Sequence, residues 1–91
     1  MSGFGSNERK TKKSEEKIIR TLQRDKLISN AFSLHSSGKI KQAADVYNFL
    51  IKNKIYDPRV FNNLGSIYSN LKQFDKAILL FDESIKKFPN S

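Results

Sequence analysis

Displaced by thirty-four residues, the sequence lies on itself, and this self-similarity limits the fold more than any other feature. Leu27 falls on Phe61, Ala31 on Gly65, Leu34 on Tyr68 and Ile40 on Phe74. Ala43 then falls on Ala77, Tyr47 on Phe81 and Ile51 on Ile85. Small residues meet small ones, and large apolar residues meet large apolar ones. A period of this length marks one supersecondary unit used twice, each copy leaving a face that only a stacked neighbour covers.

Each unit reads as two helices. In the second, Asp57-Pro58 is a helix start: the carboxylate caps free N–H groups and proline fits the first turn. Phe61, Leu64, Gly65 and Tyr68 recur at helical spacing to Asn70, and Leu71-Lys72-Gln73 reads as a turn. Phe74, Ala77, Ile78, Phe81, Ile85 and Phe88 make the stripe of the next helix, which Pro89 ends. In the first unit, Leu27, Ala31 and Leu34 mark one helix and Gly38 sits where a left-handed cap is wanted. Ile40, Ala43, Tyr47, Leu50 and Ile51 mark the other, to about Lys54.

These residues carry a family likeness. Pro58 to Ser91 resembles the tetratricopeptide repeat: Phe61, Leu64-Gly65, Tyr68, Phe74, Ala77, Phe81, Ser84 and Pro89 stand at the pattern's offsets. Arg24 to Asp57 is similar but departs from the pattern, with Asn30 in an aliphatic position and Ile55 in place of proline. The whole resembles a short bacterial-type protein of two repeats. The resemblance implies an all-α fold of antiparallel helix hairpins, stacked as a short α-solenoid with an N-terminal helical extension. The domain boundaries expected are a disordered basic tail at 1–13 and a helical domain at 14–91, with repeat one at 24–57 and repeat two at 58–91.

The tail holds Gly3, Gly5 and the basic run Arg9 to Lys13, with nothing to bury. Ser14 followed by Glu15 and Glu16 reads as a helix start. At about 100° per residue, a helix unbroken from there places Ile18, Leu22, Ile28 and Phe32 on a stripe away from Leu27, Ala31 and Leu34. Either the helix breaks near Arg24-Asp25 or that stripe meets a partner or a second copy. At the other end, Leu79 and Leu80 stand where related repeats often carry polar residues. Ile18, Leu22, Leu79 and Leu80 therefore form the expected patch for a partner or for self-association.

The chemistry of catalysis is sparse. The 91 residues hold one His and no Cys, and no glycine-rich phosphate loop occurs. His35 has no acid three or four residues away, and adjacent Asp82 and Glu83 diverge on a helix. The reading is a non-enzyme without metal or cofactor. No apolar run approaches a membrane span, no signal peptide is evident, and the lack of cysteine suits a reducing cytoplasm.

The net charge of +8 raises a nucleic-acid partner, but its distribution argues against one. Residues 1–26 carry eight Lys and Arg against four acids, residues 27–56 four against one, and residues 57–91 five against four. No recognition helix concentrates the excess.

What remains is a surface for another protein or peptide. In proteins that this chain resembles, the first helix of each repeat lines a concave groove. Carried onto this sequence, the groove takes Ile28, Phe32 and His35 from the first unit, and Arg59, Asn62, Asn63, Ser66, Ser69 and Asn70 from the second. Its amides and hydroxyls suit a peptide backbone, and Arg59 suits a carboxylate. Some members hold acidic C-terminal tails with a clamp of Lys and Asn; Asn63 matches one element, while Ile28 and Phe32 replace others. The expected function is a non-catalytic interaction module or scaffold, self-association included. The alternatives are an N-terminal or truncated accessory module of a transferase-type enzyme, and a basic RNA-associated protein.

Overall fold

The computed structural model describes the backbone of residues 2–90 and the side chains of residues 13–90. Four helices follow one another: α1 (Ser2–Ser36), α2 (Ile40–Lys52), α3 (Pro58–Asn70) and α4 (Phe74–Lys87). No strand occurs among the described residues. The turns at 37–39, 53–57 and 71–73 are too short for anything but reversal, so each helix packs against the next in sequence. The result is one row of helices, elongated at 63 × 29 × 19 Å.

The turns share a device. Gly38 adopts φ +82°, and the N–H of Lys39 reaches back to the Leu34 carbonyl at 2.8 Å. Lys54 and Lys72 take the same left-handed conformation at φ 59° and 62°, with Ile55 N–H bonded to Leu50 and Gln73 N–H to Tyr68. Only the first of these was legible, because only it uses glycine. The start of α3 is as read: the Asp57 side chain accepts from the Arg59 N–H at 2.9 Å, and Pro58 opens the helix.

The core sits where α3 closes over the α1–α2 hairpin. Ile28, Ala31, Ala43, Tyr47, Leu50, Val60, Leu64 and Ile67 form its buried cluster. Ala31 and Ala43 let α1 and α2 approach closely; Gly65 plays that part in the second hairpin. A Cβ on Gly65 would stand 2.7 Å from the Phe81 ring. Phe61 is buried in the same hairpin, with the rings of Tyr56 and Phe88 at 5.8 and 6.2 Å between centroids.

Several expectations change here. Helix α1 does not break at Arg24-Asp25 but runs through it, because no glycine or proline interrupts residues 6–36. Its backbone is helical from Ser2. Of the basic run Arg9 to Lys13, the side chains before Lys13 lie outside the described residues. The expected stripe of Ile18, Leu22, Ile28 and Phe32 divides. Ile28 is fully buried and Phe32 half-buried, since α3 covers that face, while Ile18 and Leu22 lie beyond the reach of α2 and stay exposed.

Helix α4 differs from its reading as well. Ala77 and Ser84 face inward, with Leu80, Phe81 and Phe88 half-buried at the margin. Phe74, Ile78 and Ile85, read as part of the stripe of this helix, are 56%, 62% and 67% exposed.

Candidate functional site

The residues assigned to a concave groove fall into three kinds. Ile28 is not on the groove at all; it belongs to the buried cluster with Val60, Leu64 and Ile67. That placement corrects the reading, which counted burial against α2 but not against α3.

A second kind is present but already occupied. The Arg59 Nε and Nη2 donate to Asp57 Oδ1 and Oδ2 at 2.9 and 2.8 Å. The guanidinium meant for a partner's carboxylate is holding the chain's own, and it also lies 5.8 Å from the centre of the Phe32 ring. The hydrogen bonds from Arg59 hold the Asp57 carboxyl below its ordinary pKa despite its partial burial. Asn63, the one residue that matched a clamp, donates from Nδ2 to the Tyr47 hydroxyl at 3.3 Å. Burial pushes the Tyr47 phenol above its usual pKa, and the bond from Asn63 offsets part of that rise. Phe32 packs edge-on against Tyr47, centroids 6.4 Å apart.

The third kind is free to meet a ligand. Asn62, Ser66 and Asn70 are exposed, while His35 and Ser69 are half-buried. This leaves a short polar strip on α3, with amides and hydroxyls for a peptide backbone. Among the described residues no three His, Asp or Glu side chains gather as a metal site.

The expected association patch also comes apart. Leu80 packs against the core, while Leu79 is 65% exposed and stands on another side of α4. Ile18 and Leu22 are exposed on the free half of α1, with Ile19 beside them.

Sequence reasoning missed one apolar face. Taking Phe74 as zero, Ile85 lies at about 20° and Ile78 at about 40° around the helix, so the three form one continuous stripe. Their counterparts one unit earlier are Ile40, Ala44 and Ile51, all half-buried and packed against the cluster that α3 closes. The signal was available in the repeat itself: positions covered by α3 in the first unit are covered by no described helix in the second. No helix among the described residues is long and apolar enough to cross a membrane.

The arrangement is therefore a set of stacked helices with one apolar end face and one polar strip. Comparison with family models matches the tetratricopeptide repeat at residues 58–91, the hairpin of α3 and α4. No curated protein and no solved structure matches the chain. The first hairpin lies outside the match, in keeping with Asn30 and Ile55, yet it supplies the same small and large residues at the same offsets. Residues 58–91 are thus similar to a tetratricopeptide repeat, a unit that mediates binding between proteins.

Proposed function

We propose that the chain is a non-catalytic scaffold whose α4 end face takes an amphipathic helix from another polypeptide. One observation carries the reading: Phe74, Ile78 and Ile85 stand exposed where Ile40, Ala44 and Ile51 lie under a helix. The chain supplies its own template for the occupant. Helix α3 docks on the first hairpin through Val60, Leu64 and Ile67, a spacing of four and then three residues. A partner helix with that spacing fits the second hairpin in the same manner, and Asn62, Ser66 and Asn70 beside it offer polar contacts to its rim. The cysteine-free sequence is compatible with a module that works in a reducing cytoplasm.

Self-association is the second reading, favoured by Ile18 and Leu22, which are exposed on the free half of α1 of the same chain. The test is a paired variant, Ile78→Glu with Ile85→Glu, compared with the unaltered chain by affinity capture and light scattering. The unaltered chain captures a protein or scatters as a dimer. The variant loses both while keeping its helical circular dichroism and, within about 0.5 kcal/mol, its stability, because both sites are exposed. Identical capture and identical mass for the two samples would overturn the reading.

A further inference from the structure

The free half of α1 has a second character, opposite its apolar side. Taking Ile18 as zero, Leu22 and Ile19 lie at about 40° and 100°, whereas Lys13, Lys17, Arg20 and Arg24 lie between about 200° and 260°. Leu27 and Ala31, at about 180° and 220°, are the residues that face α2 further along. The face of α1 that is apolar against α2 thus becomes cationic where α2 ends.

It does not open onto bulk solvent alone. Lys17, Arg20, Thr21, Arg24 and Leu27 line one wall of a cleft of about 550 Å³, and Lys54, Ile55 and Tyr56 from the α2–α3 turn line the other. Leu27 and Ile55 are half-buried at its floor. Tyr56 is held from outside by Lys87, whose Nζ lies 4.2 Å from the ring centre. Four cations ring an apolar floor.

The acids nearby do not neutralise them. Glu16 stands 3.9 Å from Arg20, and Asp25 stands 3.7 Å from the Arg24 Nε, both longer than hydrogen bonds and largely solvated. Asp57, the other carboxylate near Arg24, is engaged by Arg59. The Arg24 Nε is itself out of contact with solvent and has no hydrogen-bond acceptor. The Arg24 side chain as a whole is 42% exposed, so its guanidinium is open to an incoming carboxylate.

We infer that this cleft binds an acidic amphipathic peptide segment, its carboxylates on Lys17, Arg20, Arg24 and Lys54 and an aliphatic side chain on Leu27 and Ile55. The aliphatic floor of Leu27 and Ile55 favours, among polyanions, a peptide with an aliphatic side chain. The position of the cations decides against a lipid surface, because they point away from Ile18, Ile19 and Leu22, whereas a helix lying in a bilayer interface needs its charges flanking its apolar side. The site is separate from the α4 end face and stands or falls without it.

The test is fluorescence anisotropy on the full chain. The probes are a labelled peptide of Glu with Leu at every third or fourth position, an all-Glu peptide, a single-stranded oligonucleotide and vesicles containing phosphatidylserine. The Glu/Leu peptide binds tightest, and its affinity falls with added salt. Arg20→Glu with Arg24→Glu weakens it by about tenfold or more, as does Lys17→Glu with Lys54→Glu, with helicity retained. Ile78→Glu with Ile85→Glu leaves it unchanged. Peptide affinity indifferent to both charge-reversal pairs would overturn the inference. So would oligonucleotide or vesicle binding stronger than peptide binding through the same cations.

Discussion

Asp57 does two jobs at once, capping α3 through the Arg59 N–H and pairing with the Arg59 side chain. Replacing it with Ala removes both and lowers stability by about 1–2 kcal/mol in chemical denaturation. Its pKa is depressed in the folded chain, so the folded form binds fewer protons than the unfolded one just below the ordinary Asp range. Its contribution is therefore present above about pH 4 and fades as pH falls through the lower folded value. The unaltered chain should lose more stability on acidification than Asp57→Ala does. Tyr47 carries the opposite sign: its raised pKa makes its contribution fade as pH climbs past about 10. Tyr47→Phe should cost about 1 kcal/mol at neutral pH through the lost bond with Asn63, and should flatten that alkaline loss. The cap at Asp57-Pro58 was legible because it is a local signal. That Arg59 and Asn63 are engaged was not, since Asn63 meets a residue sixteen positions away and Arg59 folds back on its own turn.

Helix limits were legible wherever a residue announced them, as with Pro58, Gly38 and Pro89. The turns at Lys54 and Lys72 were placed by spacing, but their left-handed backbone was not, since lysine rarely adopts it. Lys72→Gly relieves that strain and should stabilise the chain by about 0.5–1 kcal/mol, the relief exceeding the entropic cost of glycine. Gly65→Ala runs the other way. Better helix propensity is worth about 1 kcal/mol, but the Phe81 ring must move from 2.7 Å, and a net loss of about 1 kcal/mol is expected in thermal melts. Helical periodicity gave the stripe of α4 but not which part of it is covered. Periodicity records which residues are apolar, and only the count of neighbouring helices records which are buried. Ile51→Glu should therefore destabilise the chain by about 2 kcal/mol or more, unlike its counterpart Ile85→Glu.

Across the described helices, each packs mainly against its neighbours in sequence, and α3 belongs to both hairpins. Val60, Leu64 and Ile67 close the first while Phe61 and Gly65 build the second. Leu64→Ala should cost about 2–5 kcal/mol, and helicity and tyrosine fluorescence should be lost in one shared transition instead of two. The stacked architecture could be read from the repeat because each unit was visibly incomplete by itself. The proposed surfaces could not, because they depend on where α2 stops and on which face of α4 the described helices leave open. The unbroken run of α1 has a mechanical consequence. About 52 Å of rigid rod is clasped only toward its C-terminal end, so it works as a lever whose short arm carries Ile28 and Ala31. Whatever grips the long arm exerts torque directly on the joint between the two hairpins, with no slack linker to absorb it.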